Sequence, residues 1–224
     1  MSFQKRVITA IKHEFPKHQN RNRSIGAFNY MKGIAPFIGI DAPTRRKILK
    51  KIFASIPEPT SDELGLSALA LMKQNEREFH YAAYDLIEYF LESADSNFLD
   101  KYGEKLITSK PWWDTVDGLG TAMLAPLTIK FPNRTLINEW NKSSNIWLIR
   151  SSIQHQRGRK RLTEVSYVLK LCQNHAESDE FFIVKAIGWA LRDISRFDKT
   201  SVKQFLSENP NLSAVAVKEA KRYL

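Results

Sequence analysis

Residues 106–127 read LITSKPWWDTVDGLGTAMLAPL, and their centre, KPWWDTVDGLG (110–120), sets two adjacent tryptophans beside two aspartates three residues apart. Wound as a helix, Trp112, Val116, Leu119 and Met123 follow the i, i+4, i+7, i+11 spacing of a buried stripe. Asp114 then falls in the first turn, where a carboxylate meets the positive end of the helix dipole. Trp113 and Asp117 stand one turn apart on the adjacent stripe, which Gly120, Thr121 and Leu124 continue. The small residues there leave room above the pair. Trp112 reads as core and Asp114 as a helix-start residue. Trp113 and Asp117 admit two readings, a partly buried interface ring beside a salt-bridged acid, or a functional pair.

The same period extends outward from this stretch. NIWLIRSSIQHQ (145–156), FFIVKAIGWALRDISRF (181–197) and SAVAVKEAKRYL (213–224) all carry helical spacing, and no stretch alternates between hairpin turns as a strand would. Plausible helix starts stand at Asp41–Thr44, Ser61–Glu63, Ser109–Pro111 and Ser144–Asn145. Aromatic or apolar pairs open four helices, at Phe79, Trp112, Ile146 and Phe181, with spacings of 33, 34 and 35 residues. A helix pair with its turns occupies about this length, as in the ~34–47-residue units of α-solenoids. The expected fold class is all-α: a curved solenoid in which stacked repeats bury one another's apolar faces and leave a concave groove. It is read as one domain over 1–224, with 1–35 forming N-terminal capping helices. A non-repetitive helical bundle is the competing architecture.

Composition narrows the function classes. The 34 Lys and Arg outnumber the 24 Asp and Glu, giving a formal charge of +10. A basic surface on this scale attracts polyanions, nucleic acid first. Cys172 is the only cysteine, so no intramolecular disulfide forms and a cytoplasmic location is expected. No apolar run approaches ~18 residues, so no membrane span or membrane partner is expected. The opening MSFQKRVITAIKHEF does not read as a secretory signal. No metal-ligand cluster, glycine-rich phosphate loop or Ser/His/Asp arrangement is evident, and no cofactor is expected.

Two further helices weigh on the Trp113–Asp117 pair. In 181–197, Ile183, Ile187, Ala190, Leu191 and Ile194 form a core stripe, whereas Lys185, Trp189, Arg192 and Arg196 form another. A tryptophan among cations suits a nucleic-acid backbone, the cations for phosphate and the ring for sugar or base. The bland alternative is an indole half-covered by basic side chains through cation–π contact. In 145–161, Arg150 is followed by the small Ser151 and Ser152, and Arg157, Arg159, Lys160 and Arg161 make a basic loop. Matching helices of stacked repeats face one way, so Trp113, Asp117, Arg150 and Trp189 are expected to converge.

The chain resembles the AlkD-type DNA alkylation repair glycosylases, built from HEAT-like repeats. The words that carry the resemblance are NYMKGIAPFIGIDAPTRRKIL (29–49), REFHYAAYDLI (77–87), PWWDTVD (111–117), NIWLIR (145–150) and KAIGWALRD (185–193). APFIGI departs slightly from the family's FPFLGI. The resemblance implies functional roles for Trp113, Asp117, Arg150 and Trp189, and places Tyr30 near the lesion. It implies hydrolysis of the N-glycosidic bond of cationic alkylated purines, such as N3-methyladenine and N7-methylguanine, in double-stranded DNA.

The implied chemistry is coherent. A cationic base leaves without a general acid, so the developing oxocarbenium-like sugar is the remaining problem. Asp117 is the candidate to stabilise it and to position water, with Trp113 and Trp189 holding the deoxyribose. Arg150 is expected to grip a phosphate, joined in DNA binding by Tyr30, Lys185, Arg192, Arg157, Arg159 and Lys160. A monomer is expected; the resemblance implies that the lesion stays in the duplex without base flipping, and a wide groove offers no obvious deep pocket. The competing functions are a non-catalytic DNA-binding relative and a HEAT-like scaffold for a protein or RNA.

Overall fold

The computed structural model of the chain describes residues 1–224 and is all-helical, without a strand. It divides into two compact units, Met1–Pro111 and Trp112–Leu224.

The first unit contains α1 (Phe3–Glu14), α2 (Arg21–Tyr30), α3 (Ala42–Ala54), α4 (Ser61–Met72), α5 (Arg77–Tyr89) and α6 (Glu104–Thr108). Helix α1 turns Phe3, Val7 and Ile11 inward against α3 and α4. Asp41 caps α3 by accepting from the Thr44 amide, as the sequence suggests. Helix α4 begins at Ser61, where the sequence suggests a start, and Thr60 before it forms a reciprocal capping box with Glu63.

The word REFHYAAYDLI proves to be scaffolding. Buried Glu78 accepts hydrogen bonds from the amides of Ile38, Gly39 and Ile40 at 2.9, 2.7 and 3.1 Å. Buried Asp85 accepts from Arg45 Nε at 2.8 Å. Arg77 donates to the Lys110 carbonyl at 2.8 Å. Gly39 is required where it stands: its φ is +91°, and a Cβ would lie 2.1 Å from the Asn20 carbonyl oxygen.

The second unit contains α7 (Trp113–Leu119), α8 (Ala125–Lys130), α9 (Arg134–Asn141), α10 (Ile146–Gln154), α11 (Val165–Gln173), α12 (Phe181–Ser195), α13 (Lys199–Glu208) and α14 (Ala214–Ala220). The start expected at Ser109–Pro111 moves forward. Trp112 is extended (φ −158°, ψ 164°) and caps α7 from outside. A wide π-turn, Gly120–Leu124, joins α7 to α8. It absorbs one extra residue and rotates the faces of the next helix by roughly 100°. Leu124, expected on the open stripe, is therefore buried. Val116, Leu119 and Met123 lie in the core as expected.

The aromatic pairs that open the helices have a common purpose here. Trp112, Trp147 and Phe182 pack with ring centroids 4.7 to 5.9 Å apart. Such contacts contribute about 0.5–1.5 kcal/mol each beyond simple burial. The cluster gathers the N-terminal ends of α7, α10 and α12, so residues a turn or two further along meet one another. Cys172 is buried in α11, and burial pushes its thiol up to about 12.

Candidate functional site

Asp117, one turn into α7, meets Arg150 of α10 in a paired, fork-like contact. Arg150 donates from Nε to Oδ1 and from Nη2 to Oδ2, each at 2.9 Å. Its Nη1 donates to the Phe182 carbonyl at 2.8 Å. The Arg150 side chain is 2% exposed and that of Asp117 is 15% exposed. A planar guanidinium fixes both carboxylate oxygens, which a lysine cannot do. The sequence suggests a phosphate-gripping role for Arg150. In the structure three of its five N–H bonds are already directed at Asp117 and Phe182.

Trp189 of α12 lies beside this pair, with Arg150 5.1 Å from its ring centroid. Arg157, Lys185 and Arg192 stand 4.9, 5.6 and 5.6 Å from the same ring. The cation–π arrangement weighed as the bland alternative is thus present. Arg157 also reaches within 4.0 Å of Asp117 Oδ2. Trp113 opens α7 on the Asp117 face and is half-buried.

Lys185 and Arg192 are not a bare cationic stripe. Both bind Glu219 of α14, at 2.6 and 2.9 Å. The Lys185 hydrogen bond, with the nearby charges, holds the Glu219 carboxyl below the usual carboxylate range. Glu219 was invisible to the helical spacing, since it lies 34 and 27 residues from its partners. Gly188 makes the approach possible, because a Cβ there would meet Glu219 Cβ at 2.9 Å and Ala216 Cα at 3.1 Å.

The basic loop divides. Arg157 and Lys160 are exposed. Arg159 instead turns inward, donating to Thr128 Oγ1 at 2.7 Å, and burial lowers its pKa. A surface loop alone does not reveal that inward turn, because its cause is the Thr128 hydroxyl on another helix. Tyr30 ends α2 in the first unit and is 74% exposed.

The sequence suggests no obvious deep pocket, yet the structure does contain a sizeable, half-open cavity. A cavity of about 650 Å³ opens beside Trp189, walled by Ile153, Val168, Ala190, Phe197 and the 157–163 loop. Ala190, expected in the core, is half-buried on this wall. No group of three or more His, Cys, Asp and Glu is disposed to hold a metal ion.

This geometry is an immobilised carboxylate beside an electron-rich ring, with cations around both. The sequence model of the family described as DNA alkylation repair enzyme matches residues 11–224. The chain belongs to that family. A solved structure, "Predicted DNA alkylation repair enzyme from Enterococcus faecalis", is similar, with a TM-score of 0.84 and 26% identity over 92% of this chain and 97% of that one. No curated protein is matched. Membership in the DNA alkylation repair enzyme family supports a role in DNA repair, with DNA as the substrate. No helix is long and apolar enough to cross a membrane.

Proposed function

We propose that the protein is a DNA glycosylase that hydrolyses the N-glycosidic bond of cationic alkylated purines, of the N3-methyladenine and N7-methylguanine type, in double-stranded DNA. The observation that carries this reading is the Asp117 carboxylate, held at both oxygens by Arg150 beside the face of Trp189.

The alkylated base is already a cation and leaves as a neutral molecule. The transition-state charge therefore develops on the deoxyribose, as in other glycoside hydrolyses. A fixed carboxylate stabilises that charge without reorganising during the reaction. The indole faces of Trp189 and Trp113 favour the same charge. Arg150 serves as a positioning residue, keeping Asp117 in one orientation. Exposed Arg157 and Lys160, with Lys185 and Arg192, supply phosphate contacts, and Tyr30 is the DNA-contact candidate of the first unit. A non-catalytic DNA-binding relative or a protein scaffold has no need of so constrained a carboxylate.

The decisive experiment measures N7-methylguanine release from methylated duplex DNA by wild type and Asp117→Asn. Wild type is expected to be active. Asp117→Asn is expected to lose on the order of a hundredfold or more while still binding DNA, the scale of losing a preorganised charged group. Equal rates would remove Asp117 from the chemistry.

In this reading the lesion stays in the duplex. The cavity beside Trp189 favours a second reading, in which a base turns out of the stack into it. Ala190→Phe, which narrows the cavity, separates the two. Excision is unchanged if the base stays stacked and lost if the base enters.

A further inference from the structure

Below Asp117 lies a small cleft of about 10 Å³, walled by Val116, Asp117, Gly120, Arg150, Ser151, Gln154 and Arg157. That is about the room one water molecule needs. Its wall holds two buried polar atoms without a hydrogen-bond partner, Ser151 Oγ and Gln154 Nε2. Ser151 is 3% exposed and Gln154 8%. Buried polar atoms are almost always paired, because an unpaired one costs about 1–3 kcal/mol. Two of them lining one water-sized cleft beside a constrained carboxylate mark a place built for a polar guest.

The orientation of the Gln154 amide is set by its neighbour. Arg157 Nη1 approaches Gln154 Oε1 at 3.5 Å. Rotating the amide would put two donors face to face, so Nε2 is the unpaired atom of this cleft-lining side chain. The wall thus offers a hydroxyl that donates or accepts, an amide N–H that donates, and a carboxylate that accepts. The carboxylate, the hydroxyl and the amide match water, which both donates and accepts, and the guanidiniums of Arg150 and Arg157 on the same wall tell against a metal ion.

We propose that Ser151 and Gln154 are positioning residues for the nucleophilic water of the reaction, an inference that rests on the glycosylase reading. The water donates one hydrogen to Asp117 and the other to Ser151 Oγ, and accepts from Gln154 Nε2. Its remaining lone pair is directed at C1′. The bond from water oxygen to C1′ forms as the bond from C1′ to the base nitrogen breaks. The electron pair of that bond neutralises the cationic base, and the proton released from water passes to the Asp117 carboxylate.

A purely structural role predicts a different outcome on substitution. Removing a buried polar atom that has no partner leaves the fold no less stable. Ser151→Ala is therefore expected to melt at or above the wild-type temperature, and Gln154→Met, of similar length and without a donor, close to it, since the 3.5 Å approach of Arg157 is the one contact it gives up. Each is expected to excise N7-methylguanine about tenfold more slowly, the effect of one lost positioning hydrogen bond, with unchanged DNA affinity.

Water–methanol mixtures supply the independent readout. Methanol attack leaves a methyl glycoside, which resists the alkaline cleavage that breaks an abasic site. The alkali-resistant fraction is expected to rise in Ser151→Ala, where the lost oxygen loosens the hold on water. Wild-type rates in both variants overturn the inference, and so does slower excision with an unchanged alkali-resistant fraction. A wild type that releases no methylated base at all would instead sink the glycosylase reading itself.

Discussion

Four cations surround the indole of Trp189, and only two carboxylates, Asp117 and Glu219, balance them. Glu219 holds Lys185 and Arg192 much as a phosphate would. On the proposed reading, DNA must compete with it for both. Glu219→Gln is expected to tighten binding to undamaged duplex and to steepen the plot of log affinity against log salt by about one, the slope of roughly one further phosphate contact. Titration at several salt concentrations measures this, and a shallower slope would mean that Glu219 serves only to hold the two cations in place. Much at this residue scale was legible in the sequence. Trp113 with Asp117, and Lys185 with Trp189 and Arg192, repeat at helical spacing within single helices. The partners that define their environment were not legible, because Glu219, the Phe182 carbonyl and the Thr128 hydroxyl reach them from distant stretches of chain.

The elements were legible where local rules govern them. Asp41 and Asn145 cap the helices that the sequence suggests, each through its own side chain. The aromatic pairs at 33–35-residue spacing do mark corresponding helix starts, three of which meet in the Trp112–Trp147–Phe182 cluster. Helical counting failed where the period itself changes. The π-turn at Gly120–Leu124 inserts a residue, so a stripe extrapolated from Trp113 past Gly120 lands on the wrong face. Gly120 does not signal the turn, since a Cβ there would meet nothing within 4 Å. At Gly188 the opposite holds, and the bare backbone is what lets α14 bring Glu219 close. The cavity was missed for a related reason: it lies between α10, α11, α12 and a loop, so no single periodic stripe outlines it.

At the scale of the whole molecule, stability depends on a histidine that the chemistry does not use. His155 is buried, donates from Nδ1 to the Ser152 carbonyl at 2.7 Å and accepts from Gln156 Nε2 at 3.1 Å. Burial, above all, lowers its pKa from 6.5 to about 4. The unfolded chain then takes up the proton first as pH falls. The stability contributed by the neutral ring is complete above about pH 6.5, falls as pH drops toward 4 and levels off below, a total loss of about 3 kcal/mol. Urea unfolding at pH 7 and 4.5 tests this: His155→Gln is expected to lose markedly less stability than wild type across that window, and equal losses would mean that the ring is not kept neutral. Buried Cys172, in the same unit as His155, has a consequence of a different kind. Reagents that methylate DNA attack free thiolates faster than most protein groups. Cys172 is the only thiol in the chain, lies out of solvent and stays protonated at neutral pH. The protein can therefore persist amid the electrophiles whose damage it is proposed to remove, without its own cysteine being consumed.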